Sequence, residues 1–466
     1  MRIMTGGTEG RPEGYERFLE SRRQLPGMAG FEPVWMPDCL FGFQRCLVEW
    51  AVRRGRAALF ADTGLGKTLM QLVWAENVVR RTNRPVLVLT PLAVGRQTVA
   101  EACRFGIDAA RCPDGRVPPG ARVLVANYQR LHLFDPSDFA GCVCDESSIL
   151  KNFDGRTRAA VTEFLRTLPY RLLCTATAAP NDDFELGTSS EALGEMGHRD
   201  MLSRFFRQQL AARGTVGWGH DTHVLRSHAE RDFWRWVCSW SRAVRRPSDL
   251  GFDDGPFVLP PLVTREHAVE CRTAPPGMLF PIPAATMIQQ RAEEKRTVRE
   301  RCEKAARLAA GDDPVVCWCH RNDEADLMER LVAGAVQVSG SDSDEMKEEK
   351  LSAFASGQAR AMVTKPRIAG FGLNWQHCSR QVFFPSHSFE SYYQAVRRCW
   401  RFGQKRPVTV DVVTAESVAG VTANLRRKSE AADRMFARLV ELMNSALSIA
   451  PGRDARLTTE VPAWLS

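Results

Sequence analysis

The run Ala61-Asp62-Thr63-Gly64-Leu65-Gly66-Lys67-Thr68 has the residue types and order needed to hold a chain of phosphates. Glycines let backbone N–H groups close around phosphate oxygens, and a helix starting at the lysine adds its positive dipole end. In that arrangement Thr63, Gly64, Leu65 and Gly66 form the cradle. Lys67 reaches the β- and γ-phosphates, and the Thr68 hydroxyl binds Mg²⁺. The strict pattern has Gly where this chain has Ala61, but Thr-Gly-Leu-Gly-Lys-Thr is intact. A plain strand-to-helix turn accounts for the glycines and leaves Lys67-Thr68 unexplained. The implied ligand is a nucleoside triphosphate with Mg²⁺.

Hydrolysis of that ligand needs an acidic metal partner and a base. Asp145-Glu146 follows the buried-looking run Gly141-Cys142-Val143-Cys144. Asp145 would hold Mg²⁺, directly or through water, and Glu146 would orient and deprotonate the attacking water. Asp-Glu alone is a common solvated pair; its place after a buried strand, downstream of a phosphate loop, favours the catalytic reading. Positive charge at the transition state is the third requirement. Arg398 and Arg401 lie three apart, on one helical face. They suit that role, and they equally suit a basic surface helix; spacing does not decide.

These groups must be positioned by alternating elements. Residues 43–54 read as a helix, 57–61 as a short apolar strand, and 68–79 as a helix with apolar residues at helical spacing. Further β-rich runs at 86–89, 123–126, 142–144 and 171–174 each end at polar residues. Short buried strands separated by helical stretches predict a parallel sheet covered on both faces, with ligands at the strand C-termini. A second alternation, at 315–319, 335–338, 361–364, 381–384 and 408–413, predicts a second unit of the same kind. Between them, residues 195–260 are rich in Trp, Phe and Arg. Trp234, Trp236 and Trp240 read as core packing, while the arginines divide evenly between surface and polyanion contact. Residues 284–310 read as a charged helix.

The order of these motifs resembles superfamily 2 helicases, the wider group of DEAD/DEAH-box proteins, and especially the SWI/SNF-type DNA-dependent ATPases. Phe43-Gln44 resembles the Gln motif that contacts adenine, which implies ATP and a role for Gln44. Asp145-Glu146-Ser147-Ser148-Ile149-Leu150-Lys151-Asn152 looks like motif II, with Ser147-Ser148 where the family has Ala-His. Thr175-Ala176-Thr177 occupies the place of motif III, which couples the nucleotide and nucleic-acid sites. Gly370-Phe371-Gly372-Leu373-Asn374 resembles motif V and places Gly372 at the nucleotide. The run from Gln394 to Gln404 is very similar to motif VI, Gln-Ala-x-x-Arg-x-x-Arg-x-Gly-Gln. That match implies that Arg398 and Arg401 are arginine fingers and that Gln394 neighbours the site. Compact length and the run 392–404 look most like phage or prophage members.

The resemblance implies an α/β fold of two tandem RecA-like P-loop domains, with parallel sheets flanked by helices. The divisions read from the sequence are an N-terminal arm (1–35), lobe one (36–194), a helical insertion and linker (195–260), lobe two (261–416) and C-terminal helices (417–466). Thr90-Pro91 resembles motif Ia, a nucleic-acid contact; Arg130 adds a second guess, with Thr364 and Arg367 as matching guesses in lobe two. Each threonine could equally be a helix cap. The implied activity is ATP hydrolysis driving translocation on DNA, double-stranded DNA favoured. The competing readings are a strand-separating DNA or RNA helicase, the motor subunit of a restriction or nuclease assembly, and a non-catalytic ATP-binding clamp. Intact Lys67, Asp145, Glu146 and Arg398 argue against the clamp. Phage or host DNA-processing proteins, or a separate nuclease, are the implied protein partners.

Bulk properties agree with this and decide little. Net charge is +8 over 466 residues, a mild basic excess that allows a polyanionic partner without establishing one. The 14 cysteines include no paired CxxC sets with zinc spacing. Cys142 with Cys144, and Cys317 with Cys319, read as buried hydrophobes on one strand face. With no secretory signal or bilayer-length apolar run in view, the expectation is the cytoplasm, of a bacterial host if phage-encoded.

Overall fold

In the computed structural model, residues 30–447 are described apart from 119, 152–154, 180–181, 210–221, 271–286, 370–373 and 419. Most of the N-terminal arm and Gly372 therefore lie outside the described residues.

The first lobe is a sheet of β1 (Arg56–Ala61), β2 (Val86–Thr90), β3 (Ala109–Arg111), β4 (Val123–Asn127), β5 (Gly141–Asp145), β6 (Tyr170–Cys174) and β9 (Ser241–Val244). Its spatial order is β3-β4-β2-β5-β6-β1-β9, and every pairing is parallel. Successive side chains enter opposite cores, as strand geometry requires. Leu87, Leu89, Cys142 and Cys144 join one core; Val86, Val88 and Val143 join the other. The second core is covered by α1 (Gly42–Arg54), α2 (Lys67–Thr82) and α3 (Gly95–Arg104). The first is covered by α4 (Arg156–Arg166), α5 (Leu186–Leu193), α6 (His198–Phe205) and α7 (Glu230–Trp240). Between α6 and α7 lies an antiparallel hairpin of β7 (Phe206–Gln209) and β8 (Thr222–Leu225).

The second lobe contains β10 (Leu262–Val269), β11 (Val315–Trp318), β12 (Ala335–Gln337), β13 (Ala361–Thr364), β14 (Arg380–Phe383) and β15 (Val408–Ala415), in the order β10-β15-β14-β11-β13-β12. These pairings are also all parallel. Its helices are α8 (Met287–Arg296), α9 (Val298–Leu308), α10 (Asn322–Leu331), α11 (Asp344–Ala355), α12 (Pro366–Ala369) and α13 (Phe389–Cys399). The chain is thus a tandem of two RecA-like α/β domains. Among the described residues no helix is long and apolar enough to cross a membrane.

The span 195–260 differs from its reading as insertion and linker. Its residues 241–244 form β9, which pairs with β1 and completes the edge of the first sheet. Ser-Arg-Ala-Val continues the amphipathic pattern of α7, so local sequence conceals the strand. Trp234 and Trp240 are buried in the first lobe's core, and Trp236 packs half-buried against it. Arg242 lies over the Trp50 ring, 4.2 Å from its centroid, and Arg245 pairs with Asp433 at 2.7 Å. These two arginines are therefore internal contacts.

A C-terminal helix, α14 (Gly420–Leu447), leaves the second lobe and seats Met435, Phe436, Leu439 and Met443 in the first lobe's core. The Met443 sulfur accepts a hydrogen bond from the Ala243 N–H at 3.1 Å. Leu439→Ala and Met443→Ala should each destabilise the first lobe by about 2–5 kcal/mol, as core truncations do. Chemical denaturation followed by Trp fluorescence checks this; an unchanged midpoint would rule out that packing.

Candidate functional site

The phosphate loop is shaped by two left-handed glycines, Gly64 at φ +94° and Gly66 at φ +76°. A Cβ on Gly66 would fall 2.4 Å from Gln44 Nε2, and one on Gly64 would fall 2.9 Å from the Phe402 nitrogen. The loop is therefore pressed from both sides, and only glycine fits. Lys67 opens α2 and folds its ammonium back across the loop, donating to the carbonyls of Ala61 (2.9 Å) and Asp62 (3.3 Å). Gln44 is buried, and both ends of its amide are engaged. Its Nε2 donates to the Leu65 carbonyl at 2.8 Å, and its Oε1 accepts from the Phe41 N–H at 3.1 Å. In this conformation Gln44 braces the loop.

Asp145 ends β5 with its carboxylate fixed by Gln71, whose Nε2 donates at 2.7 Å. The Tyr128 hydroxyl donates to the Asp145 carbonyl at 2.6 Å. Burial, reinforced by the neighbouring Glu146, pushes the Asp145 carboxyl up to about 6, against the pull of Gln71 and Lys67. Glu146 stands in the left-handed region at φ +50°, a conformation that costs a residue with a Cβ roughly 1–2 kcal/mol. Such strain collects at functional sites. It turns the chain directly into the 3-10 turn Ser147–Lys151. The Glu146 carboxylate accepts from the Thr175 hydroxyl at 3.5 Å and from Gln394 Nε2 at 3.3 Å. Thr175 in turn accepts from the Thr177 N–H at 3.0 Å, with Ala176 buried between them.

Gln394 belongs to the second lobe, on α13. The helix begins at Ser388, whose hydroxyl accepts from the Ser391 N–H at 3.2 Å. Its Gln394 and Arg398, one turn apart, face Glu146. Arg398 is fully buried, and its Nη2 donates to Gln394 Oε1 at 3.4 Å. Burial lowers the pKa of Arg398, while Glu146 raises it. Arg401 is held down to about 9 by burial and by Arg398. Burial also lowers Lys67, against Glu146 and Asp145.

The loop, the acidic pair and the two arginines line one cavity of about 540 Å³ shared by both lobes, while Gln394 lines a neighbouring groove. Thr63, Gly64, Gly66, Lys67 and Thr68 form its floor; Asp145 and Glu146 form its acidic wall. Arg398 and Arg401 enter from the second lobe. The Thr63 hydroxyl is buried there with no hydrogen-bond partner, as a site built to accept a ligand would have it. Thr68 and Asp145 offer oxygen ligands only, the hard donor set that Mg²⁺ takes. At the cavity's other end, Phe41, Phe257 and Phe402 converge, with ring centroids 4.9 Å apart for both Phe41–Phe257 and Phe257–Phe402. Asn374 lines it too, next to the undescribed residues that include Gly372.

No family profile matches the chain, and no curated protein sequence matches it. Among solved structures, the Sulfolobus solfataricus SWI2/SNF2 ATPase core in complex with dsDNA is similar at 17% sequence identity. The likeness covers 83% of this chain and 90% of that chain, with a TM-score of 0.41.

The residues expected at nucleic acid are scattered in role. Thr90 is buried at the end of β2, its hydroxyl without a hydrogen-bond partner. Thr364 is buried at the end of β13, with its hydroxyl donating to the Val338 carbonyl at 3.3 Å. The Arg130 side chain is exposed, and its N–H is held by Asn127. Arg367 is exposed and lines two adjoining grooves of about 500 and 520 Å³ that run across both lobes. Lys151 and Glu390 line both grooves as well and form an ion pair between the lobes.

Motif reading did not single out Gln71, Phe257, Phe402, Asp62, Tyr393 or Arg397. Gln71 was within reach, because it sits one turn after Lys67 on α2. Phe257 was not, since nothing local ties it to Phe402. Gln44→Ala should leave the Leu65 carbonyl without its buried donor and cost about 1–3 kcal/mol of stability. Urea denaturation of the full chain measures it; stability equal to wild type would show that the brace is dispensable.

Proposed function

We propose that this chain is an ATP-driven motor that acts on nucleic acid, with double-stranded DNA as the track. The observation that carries the reading is the Glu146 carboxylate, shared between Thr175 of the first lobe and Gln394 of the second. A group placed to activate water is thereby linked both to the coupling turn at 175–177 and to the helix carrying the arginines. In this reading the loop amides and Lys67 bind the phosphates, and Thr68 and Asp145 hold the metal. Mg²⁺, when bound, would neutralise charge on the phosphates being cleaved. Glu146 takes the proton of the attacking water, while Arg398 and Arg401 stabilise the charge that builds on the transferred phosphoryl group.

The cleft suits a polyanion. Lys67, Arg397, Arg398 and Arg401 face Asp62, Asp145 and Glu146, and burial weakens the protonation of all four cations. A triphosphate with its metal would relieve that strain. The grooves bordered by Arg367 and Lys151 lie across the lobe junction, so lobe closure would change the spacing of contacts along a strand. The motif resemblance favours duplex DNA as that strand, with a nuclease or DNA-processing protein as the partner class. Contacts to backbone phosphates would be salt-dependent and largely sequence-independent.

An ATPase panel over duplex DNA, single-stranded DNA and RNA tests this directly. Duplex DNA should stimulate turnover most, and indifference to every nucleic acid would defeat the motor reading. A strand-displacement assay beside it would reveal separation of strands, which the proposal does not expect. Arg398→Ala should lower turnover by about 10³-fold or more, and Glu146→Gln by about 10²–10⁴-fold.

A further inference from the structure

Motif VI leaves the position of Arg397 open, yet Arg397 is among the most buried charges in the chain. Its guanidinium forms an ion pair with Asp62, inside the phosphate loop of the other lobe. The side chains are 6% and 11% exposed, so the contact is largely screened from water. Tyr393, one turn earlier on α13, donates its hydroxyl to the same carboxylate. Arg397 is preorganised on its own helix: its Nη1 donates to the Trp400 carbonyl at 3.2 Å, and its guanidinium lies 4.6 Å from the Trp400 ring centroid.

Asp62 is where such a contact has most leverage. Its carboxylate accepts from the Thr63 N–H at 2.6 Å, which sets the turn into the loop. Its carbonyl accepts from Lys67 Nζ, and its N–H donates to the Val244 carbonyl of β9 at 2.9 Å. Asp62 thus has its structural partners within the first lobe already. The second lobe adds a cation and a phenol to it.

We propose that Asp62, Tyr393 and Arg397 form an interlobe clamp that locks the phosphate loop against the second lobe when the lobes are closed. Arg397 and Tyr393 are positioning residues, distinct from the pair Gln394 and Arg398 one residue further along the same helix, which faces Glu146. The helix carries two adjacent pairs with one-turn spacing, one gripping the loop and one meeting Glu146. A buried ion pair contributes little net stability, because desolvation offsets its attraction. It does impose geometry, because either charge left alone in the closed cleft is penalised. Closure is thereby tied to the correct seating of the loop.

The proposal rests on the ATPase reading above, and its test separates the two. Full-length Asp62→Asn, Arg397→Gln and the double variant would be assayed for ATP turnover with duplex DNA, beside Arg398→Ala. Each single clamp variant should raise KM for ATP about tenfold while changing kcat less. The double variant should be no worse than either single, because it leaves no lone charge in the closed cleft. Arg398→Ala should instead lower kcat with KM little changed. Arg397→Lys should recover part of the lost affinity. Additive KM effects in the double variant, or a KM equal to wild type in the singles, would overturn the clamp. Small-angle scattering on the same proteins supplies a readout that needs no turnover. Wild type should be more compact than Arg397→Gln, and equal radii of gyration would also overturn it. Should wild type hydrolyse no ATP, the motor reading fails while scattering still decides whether the clamp exists.

Discussion

Lys67, Arg397, Arg398 and Arg401 gather where the two lobes meet, Arg397 and Arg398 buried and the other two half-buried, and burial works against the charge of each. Taking a cation out of water is costly unless a partner compensates. Asp62, Asp145 and Glu146 compensate in part, and each does so with a contact that also fixes backbone. Asp62 sets the loop, Asp145 ends β5 under Gln71 and Tyr128, and Glu146 holds a left-handed turn. The polar architecture of both lobes is organised around that shared electrostatic problem. The two buried sheets supply the rigid frame in which it can be held.

Helix α13 is where the solution becomes directional. One turn of helix separates Tyr393 from Arg397, and Gln394 from Arg398, so two rows of polar groups run side by side. The first row meets the loop through Asp62, and the second meets Glu146. Phe402, just beyond the helix, presses on Gly64 from the same direction and stacks toward Phe257. The second lobe therefore touches the phosphate loop, the acidic wall and the aromatic end of the cavity through a single short segment. A small rotation of that segment would alter all three at once.

Much of this was legible in the sequence, for a local reason. Each site residue found by motif sits at the end of a short β-rich run or at fixed helical spacing, so its neighbours in the chain announce it. Lys67, Thr68, Asp145, Glu146, Arg398 and Arg401 do line one cavity. Gln394 and Thr175 meet on Glu146. What was hidden depends on partners far along the chain. Ser241–Val244 carries an arginine and extends the pattern of α7, so only pairing with β1 makes it a strand. Gln44 follows a recognisable pattern, but its hydrogen bonds to Leu65 and Phe41 arise from the packing of α1 against the loop. Thr364 at the end of β13 resembled a contact residue, yet its hydroxyl is consumed by Val338. Arg397 could not be told from a solvated arginine without the other lobe beside it.

The return of α14 to the first lobe has a geometric meaning of its own. The polypeptide crosses between the lobes once between β9 and β10 and again through α14, whose 28 residues span about 42 Å. Two such crossings act as two pins on a hinge. They remove most sliding freedoms and leave rotation about the line joining them as the soft motion. Because α14 packs on β9, and β9 hydrogen-bonds to Asp62, one pin is fastened beside the phosphate loop itself.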